Sequence, residues 1–377
     1  MLASLIFVLA TAVILWVLAG YPLWLGWRSR MTHPVRTGPF EPTVTILLPV
    51  YNGARWLEQK LNCILRLSYP RDRVQTIVIS DGSTDDTAAI AYRYAQQGVE
   101  LIVVPHGGKA AAINAGMAAA HGEILLFTDV RQPLEPESLR RLTECLADPE
   151  VGAVSGELII RDGENQEQVS VGLYWKYEKW IRKSLSRLDS VLGATGAIYA
   201  MRRSLTRPLP PETLLDDVYL PLLAFFTGYR VVFEERAIAY DSPTSLNTEF
   251  RRKVRTQAGV YQLLFFFPGL LTAANRCRVH FISHKLGRLL LPFAFLTLAA
   301  SSVGLPGNWA RVALVAQACF YGLALLDLAL PERFPLKRLS APVRTFVTLM
   351  AAALCAVSIL FRPRRQFWKQ ATGSDSN

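Results

Sequence analysis

The sequence predicts an α/β domain with a mostly parallel β-sheet, helices on both faces, and transmembrane helices at both ends of the chain. Between about residues 40 and 245, short β-branched runs alternate with amphipathic helical stretches, which is typical of a parallel sheet covered by helices. Residues 3–25 carry no charge over a length sufficient to cross a bilayer. Further apolar runs follow near the C-terminus, at roughly 289–304, 310–330 and 343–361.

The alternation can be followed element by element. The strand-like runs read VTILLPV, VQTIVIS, LIVV, ILLFT and VGAVSG, and the helical stretches between them read ARWLEQKLNCILRL, TAAIAYRYAQQ, KAAAINAGMAAA and PESLRRLTECLA. Strands joined by a crossover helix pair in parallel. Ligands of such sheets bind outside the carboxyl ends of the strands, so the residues after each strand are the candidates for function.

Basic residues border the apolar segments and predict the orientation of the chain in a membrane. The formal net charge is +11 at pH 7, and the flanking basic residues are Arg28, Arg30 and Arg36, then Arg251, Arg252, Lys253 and Arg255. Because such residues favour the cytoplasmic side, we expect a cytoplasmic central domain and an external N-terminus.

The lipid bilayer is an expected partner and nucleic acid is not, since the basic residues flank the spans.

Two points of topology have alternatives. A cleaved signal peptide is the alternative for the first segment, although its apolar core is too long and it lacks a basic start and a small-x-small cleavage site. Four spans would place the C-terminus outside, whereas the tail RPRRQFWK favours the cytoplasm. Either one C-terminal segment is re-entrant or interfacial, or the number of spans differs by one.

These patterns divide the chain into consecutive segments. In order, they are an N-terminal transmembrane helix at 1–27, a basic linker at 28–43, a cytoplasmic domain at 44–245, interfacial amphipathic helices at 246–285, about three transmembrane helices at 286–362, and a basic then polar tail at 363–377.

Cysteines and histidines give no metal signal. The cysteines are odd in number and scattered without a C-x-x-C pair, which supports neither a disulfide framework nor a zinc site. His280 and His284 are spaced i, i+4, but no acidic residue lies near them in the sequence. We therefore expect them to be solvated or to face lipid headgroups.

Polar residues follow the first two strands. Pro49 and Tyr51 come at the end of the first, where turn formation alone is an alternative explanation. In SDGSTDDT, Asp81 ends the second strand and is placed to bond a ribose hydroxyl or a base edge. Ser83 and Asp86 fit a capping box for the next helix.

The next two strands end in a glycine-lysine loop and an acid. HGGKAAAINAG opens a helix, whose free N–H groups and Lys109 suit a diphosphate, although the Walker A spacing is absent. Asp129 ends the fourth strand, and Arg131 stands where a second metal-binding acid would be expected. The four strand ends together are more specific than any one of them.

In these motifs the sequence resembles family 2 glycosyltransferases of the membrane-embedded polysaccharide-synthase kind, which include cellulose, chitin, hyaluronan and poly-N-acetylglucosamine synthases. The motifs cover about residues 44–260 in family order, and they read ILLPVYNG, VISDGSTDDT, GGKAAAINAG, ILLFTDVRQ, GATGAIYAMRR and LLDDVYLP. The resemblance implies a GT-A type fold and a nucleotide sugar, usually UDP-linked, as donor.

The resemblance also implies roles for single residues. Pro49, Tyr51 and Asp81 would hold the nucleoside, and Lys109 would lie near the diphosphate or ribose. Asp129 matches the first acid of the family's D-x-D motif, and would bind a divalent cation, Mg²⁺ or Mn²⁺. Arg131 would contact phosphate or turn to solvent.

On the acceptor side, the loop that contains Gly193, Thr195 and Gly196 would lie under the donor and acceptor sugars. Asp217 matches the family's general base, next to Asp216. A helix N-cap is the alternative explanation for this acidic pair, and both explanations can hold.

One motif departs from the family pattern. Processive members carry Q-x-x-R-W on an interfacial helix, and here the matching place reads RKVRT, with Arg252 and Arg255 but no tryptophan. Simple membrane anchoring by a basic patch is the alternative explanation for these arginines.

We therefore expect a multi-pass protein of the cytoplasmic (inner) membrane that transfers sugar, with inversion, from a nucleotide sugar to a growing polysaccharide. The alternatives are single-sugar transfer to a lipid or polyprenyl-phosphate carrier, and a non-catalytic sugar-nucleotide-binding scaffold. Further polysaccharide-synthesis or export subunits are expected partners.

Overall fold

The computed structural model describes residues 1–160, 166–242, 245–332 and 334–361, and for residues 166–174 it describes the backbone only. The tail predicted at 363–377 lies outside these residues. The chain divides into two units. The sheet unit comprises Ser29–Arg161 and Lys179–Ser242, and the helical unit comprises Met1–Arg28, Asp162–Glu178 and Pro243–Asn377.

The sheet has seven strands in the order β3-β2-β1-β4-β6-β5-β7. Only β6 runs antiparallel to its neighbours. The strands are β1 (Val44–Val50), β2 (Val74–Asp81), β3 (Val99–Val104), β4 (Ile124–Phe127), β5 (Val151–Ile160), β6 (Tyr199–Arg202) and β7 (Arg230–Asp241). The predicted mostly parallel sheet is confirmed, and β6 and β7 extend it beyond the five strands that the sequence indicated.

The longer helices follow in chain order. They are α1 (Leu2–Arg28), α2 (Ala54–Leu65), α3 (Thr87–Arg93), α4 (Lys109–Ala119), α5 (Ser138–Leu146), α6 (Gln166–Leu188), α7 (Asp216–Phe226), α8 (Leu246–Phe266), α9 (Arg278–Ser302), α10 (Asn308–Leu326) and α11 (Lys337–Leu360). The α6 helix contributes residues to both units.

The core of the sheet unit explains where its functional loops begin. All residues of β1 except Pro49 are buried, as expected for a central strand covered on both faces. The α4 helix packs so closely on the sheet that a Cβ at Gly116 would lie 2.8 Å from Ile79 Cδ1 and 2.9 Å from Leu47 Cδ2. This close packing fixes the start of α4, and therefore Lys109, above the ends of β1 and β2.

Within the described residues of the helical unit, four helices are long and apolar enough to cross a membrane, namely α1, α9, α10 and α11. The stretch predicted as interfacial, 246–285, contains α8 and the first turns of α9. The composition of these helices is that of a membrane protein.

Two π-helical turns, Trp16–Gly20 in α1 and Phe281–Leu286 in α9, join the first span to a later one. Trp16 Nε1 donates to Ser283 Oγ at 3.0 Å, and the Tyr21 hydroxyl hydrogen-bonds His280 Nδ1. A Cβ on Gly287 would lie 2.9 Å from Val17 Cγ2, so the two helices approach closely. The α1 helix is thus packed by specific polar and steric contacts.

The expectation of solvated or headgroup-facing histidines is wrong, because His280 and His284 are both buried. Their rings stack with centroids 5.1 Å apart, and His284 Nε2 lies 2.7 Å from Arg288 Nη2. Arg288 also pairs with Glu178 of α6. We call these residues the helical cluster: Tyr21, Glu178, His280, His284 and Arg288. Its acid comes from a distant part of the chain, which the local sequence could not indicate.

Candidate active site

The end of β2 organises the glycine loop that precedes α4. Asp81 is only 3% exposed, and its two carboxylate oxygens accept from Gly107 N at 2.8 Å and Gly108 N at 3.0 Å. Gly82 has a φ of +64°, and a Cβ there would lie 2.7 Å from His106 N. Asp81 therefore lies at the end of β2, as predicted, and its hydrogen bonds hold the loop that precedes α4.

His106 is a residue that the sequence reasoning missed. Its Nδ1 lies 3.1 Å from Asp81 Oδ2, and its ring stacks on Tyr51 at a centroid distance of 4.4 Å. Tyr51 is 49% exposed, while Pro49 lies within β1, opposite Ile79 of β2. Together Tyr51 and His106 form an accessible aromatic surface beside Asp81, of the kind on which a planar base stacks. The only sequence signal was an aromatic ring before the two glycines.

The predicted capping box at Ser83 and Asp86 does not form. Asp86 precedes α3 without a side-chain cap bond, and Ser83 Oγ instead accepts from Asn52 N at 3.1 Å. Asp85 Oδ2 accepts from Ala54 N at 2.9 Å, and this hydrogen bond helps to lock the loops after β1 and β2 together. The backbone at the end of β1 offers free N–H groups nearby, so the tertiary bond wins over the local cap.

Lys109 brings two of the predicted acids together. Its Nζ lies 2.9 Å from Asp129 Oδ1 and 3.1 Å from Asp216 Oδ2. Burial alone would lower the pKa of Lys109, but the charges of Asp129, Asp216 and Asp217 outweigh it and raise the pKa above its usual range. We call Lys109, Asp129, Asp216 and Asp217 the sheet-edge cluster.

Gly196 lies between the two acids that the sequence assigned to different roles. A Cβ there would be 3.4 Å from both Asp129 Oδ2 and Asp217 Oδ2. The Gly196 N–H donates to Asp217 Oδ2 at 3.0 Å, and Ala194 N donates to the Asp217 carbonyl at 2.7 Å. The loop that contains Gly196 and the acids therefore form one site, and a side chain at Gly196 would fill its centre.

Two further residues fix the rest of the loop that contains Gly196. Gly193 has a φ of +115°, where a side chain would also meet Val218, and Thr195 N donates to Ser155 Oγ at 3.1 Å. Asp216 and Asp217 are the first two residues of α7, where carboxylates complement the positive end of the helix dipole. The N-cap of α7 is Leu215 and no side chain caps this helix, so the N-cap explanation for the acidic pair is wrong, whereas complementarity to the helix dipole holds.

Three further candidate residues are arginines. Arg131 is exposed, two residues beyond Asp129. Arg252 and Arg255 belong to α8 of the helical unit, where Arg252 Nη1 donates to Glu249 Oε1 at 2.9 Å.

The acids fit a divalent cation only as part of a shared site. Among the described residues, no three His, Cys, Asp or Glu side chains form a metal cage. The Asp129 side chain is 39% exposed, and Lys109 Nζ lies 2.9 Å from its Oδ1. Mg²⁺ is commonly held by one or two carboxylates plus substrate phosphates, and Asp129 offers that kind of ligand.

Known proteins resemble this chain in sequence and in fold. Residues 45–209 match the model of the glycosyl transferase family 2. The chain is 23% identical over 301 residues to the probable glycosyltransferase YdaM of Bacillus subtilis, covering 71% of this chain and 69% of that protein. It is 24% identical over 239 residues to a poly-beta-1,6-N-acetyl-D-glucosamine synthase of Staphylococcus aureus, of which it spans 58% of the length.

A solved structure shares the fold. The mannosyltransferase PcManGT from Pyrobaculum calidifontis, in complex with GDP-Man and Mn²⁺, superposes with a TM-score of 0.73 at 24% identity. The match covers 94% of this chain and 99% of that chain. This agreement confirms the predicted GT-A type architecture. Residues 45–209 of this chain therefore match glycosyl transferase family 2, and the described part of the chain also contains candidate membrane helices.

Proposed function

We propose that the protein is a membrane-bound inverting glycosyltransferase that transfers a sugar from a UDP-linked donor to a growing polysaccharide. The observation that carries this proposal is the placement of Gly196 between Asp129 and Asp217, with Lys109 beside them. One acid is partly exposed and suited to a cation, and the other is held by a backbone N–H. A transferase needs a leaving-group side and an acceptor side in this arrangement.

The donor side is built from the strand ends. Tyr51 and His106 would stack on the base, and the glycine loop held by Asp81 would approach the diphosphate. The N-terminus of α4 and the Lys109 ammonium favour negative charge at this point. A divalent cation at Asp129, when bound, would act as a Lewis acid toward the departing diphosphate.

The acceptor side depends on Asp217. As the acceptor hydroxyl oxygen forms its bond to the anomeric carbon, the bond to the nucleoside diphosphate breaks and the hydroxyl proton passes to the Asp217 carboxylate. The Gly196 N–H fixes one oxygen of that carboxylate at 3.0 Å. A single displacement inverts the anomeric centre, so an α-linked donor gives a β-linked product.

The polymer acceptor is supported by the resemblance to poly-beta-1,6-N-acetyl-D-glucosamine synthases. A second candidate is transfer of one sugar to a lipid or polyprenyl-phosphate carrier. Thr256 favours it, because it stands where the processive motif has a tryptophan that would stack near the acceptor sugar. Arg252 and Arg255 would then serve the membrane surface.

The proposed location is the cytoplasmic (inner) membrane, with several passes and the catalytic domain facing the cytoplasm. The support is the distribution of basic residues beside α1 and α8 and the four candidate spans. Nucleotide sugars are then available on the side where the sheet unit lies. Further subunits for synthesis or export remain part of the proposal.

The test is a panel of UDP-sugars, with GDP-mannose included, incubated with the purified protein, Mg²⁺ or Mn²⁺ and acceptor extracts. We expect nucleoside diphosphate release from one member of the panel, and product length on a gel then separates polymerisation from single transfer. Binding of nucleotide sugar without turnover in any acceptor extract would indicate the non-catalytic scaffold instead.

A further inference from the structure

Lys60 on α2 is a buried lysine that the proposed mechanism does not use. It is 1% exposed, and its Nζ donates to Thr128 Oγ1 at 2.7 Å and to the Gln132 carbonyl at 2.5 Å. Burial lowers the pKa of Lys60 to about 7, with the charges of Cys63 and Asp129 acting in the opposite direction. Lysine is almost never fully buried without a specific partner, so this position needs an explanation.

The two acceptors bracket the loop that carries Asp129. Thr128 is the residue before Asp129, and Gln132 is the residue after Arg131. One ammonium group therefore fixes both ends of the Thr128–Gln132 loop. The hydrogen bonds of Lys60 go to Thr128 and Gln132, so its effect on Asp129 and Arg131 acts through the backbone between them.

Thr128 extends the connection to the acceptor side. Its hydroxyl accepts from Lys60 and donates to the Ala197 carbonyl at 2.7 Å. Ala197 directly follows Gly196, whose N–H binds Asp217. The hydrogen bonds from Lys60 to Thr128 and from Thr128 to Ala197 thus set the spacing between the loop that contains Asp129 and the loop that contains Gly196.

The need to fill the core does not explain why residue 60 is a lysine. The neighbouring inward residues of α2 are Leu57, Leu61 and Ile64, and an apolar side chain would fill the position of Lys60 without burying an ammonium. We infer that Lys60 is a positioning residue for sugar transfer, which holds Asp129 in register with Gly196 and Asp217. This inference rests on the proposed function.

The experiment compares Lys60→Met and Thr128→Val with Thr128→Ser, which keeps the hydroxyl. Isothermal titration calorimetry measures binding of UDP, and of GDP as a second probe, with and without Mn²⁺, and steady-state assays measure KM for the donor. Lys337→Met is the matched control, because Lys337 is also buried and pairs with Asp327 in the helical unit.

We expect Lys60→Met and Thr128→Val each to weaken Mn²⁺-dependent nucleotide binding by about 10- to 100-fold, as removal of residues that orient metal ligands typically does. The donor KM should rise in parallel, whereas Thr128→Ser should keep nucleotide binding and the donor KM close to those of the parent. Lys337→Met should lower the melting temperature and leave nucleotide binding unchanged.

Unchanged nucleotide binding and KM in both variants, with only a lower melting temperature, would overturn the inference. If Lys60→Met does not fold, Thr128→Val alone decides. If the parent binds nucleotide but turns over no sugar, the proposed function fails while the binding comparison still tests Lys60. If the parent binds neither nucleotide, both proposals fail.

Discussion

The sheet-edge cluster and the helical cluster are both groups of charged side chains, but they are built in opposite ways. In the sheet-edge cluster, three carboxylates surround one ammonium, and the side chain of Asp129 is 39% exposed. In the helical cluster, one carboxylate meets a guanidinium and stacked histidines, and the Glu178 side chain is only 11% exposed. The first is partly open to solvent, whereas the second is largely enclosed by protein.

The pKa of Glu178 reflects this closure. Burial would raise the pKa of its carboxyl, but the charges of Arg288 and His284 hold it well below its usual range. The comparison teaches that charge in an apolar setting does not by itself indicate chemistry. A partly exposed cluster of acids is a candidate ligand site, whereas an enclosed ion pair indicates a structural role.

The sharpest way to break the comparison is Asp217→Asn. We expect turnover to fall by about 10²- to 10⁴-fold, the usual contribution of a general base, because the amide cannot accept the acceptor's proton. Nucleotide binding and melting temperature should change little, since the Asn oxygen can still accept from Gly196. The measurement is kcat with the identified donor, and Asp72→Asn, at an exposed turn, is the matched control. Full activity in the Asn variant would remove Asp217 from the mechanism.

Glu178→Gln tests the other cluster. We expect a loss of up to about 3–5 kcal/mol in the free energy of unfolding, because the partly buried Arg288 would lose the carboxylate of the buried Glu178. Nucleotide binding should be unaffected. The comparison variant is Glu58→Gln, since Glu58 faces Arg93 at 3.7 Å on the surface, where such a pair contributes about 0–1 kcal/mol. Equal losses in the two variants would show that the helical cluster has no special stability.

The pH dependence of this stability follows from the depressed pKa of Glu178. The unfolded chain binds the proton more readily, so the extra stability is fully present above the unfolded-state pKa of about 4.3 and is lost as the pH falls toward the folded-state pKa. The difference in unfolding free energy between parent and Glu178→Gln should therefore be constant near neutral pH and shrink in acid. Denaturant titrations at several pH values measure it, and a difference that grows in acid would contradict the assignment.

The smallest expected effect comes from Arg131→Asp. This change adds a second carboxylate two residues after Asp129 and should lower the Mn²⁺ concentration needed for half-maximal activity by a fewfold. Arg131→Gln removes the charge without adding a ligand, so it separates loss of the arginine from gain of the acid. A metal titration that is identical for all three proteins would show that Arg131 lies outside the cation site.

The sequence was most informative where function follows local structure. Asp81, Lys109 and Asp129 each come directly at the end of a strand or the start of a helix, so the order of elements was enough to bring them to one edge. In contrast, β6 has only four residues, and the apolar sequence pattern of β7 is broken by three charged residues, Glu234, Glu235 and Arg236. Neither has the periodicity of a buried strand.

Long-range partners were beyond the sequence for a different reason. Lys60 looks like a solvent-facing helix residue until the loop after β4 is placed over it, and His280 and His284 lack an acid until α6 packs beside them. In both cases, the burial of a polar side chain depends on a segment far away in the chain. Local patterns carry no record of such a partner.

The bonds between α1 and α9 have a consequence for the order of assembly. Tyr21 and His280 are separated by 259 residues, and Trp16 and Ser283 by 267. At synthesis rates of about 5–20 residues per second, the first span waits between about ten seconds and a minute for its partner to emerge. During that interval its indole and phenol groups must find temporary partners in lipid headgroups or water. These contacts of α1 can therefore form only after α9 has been synthesised.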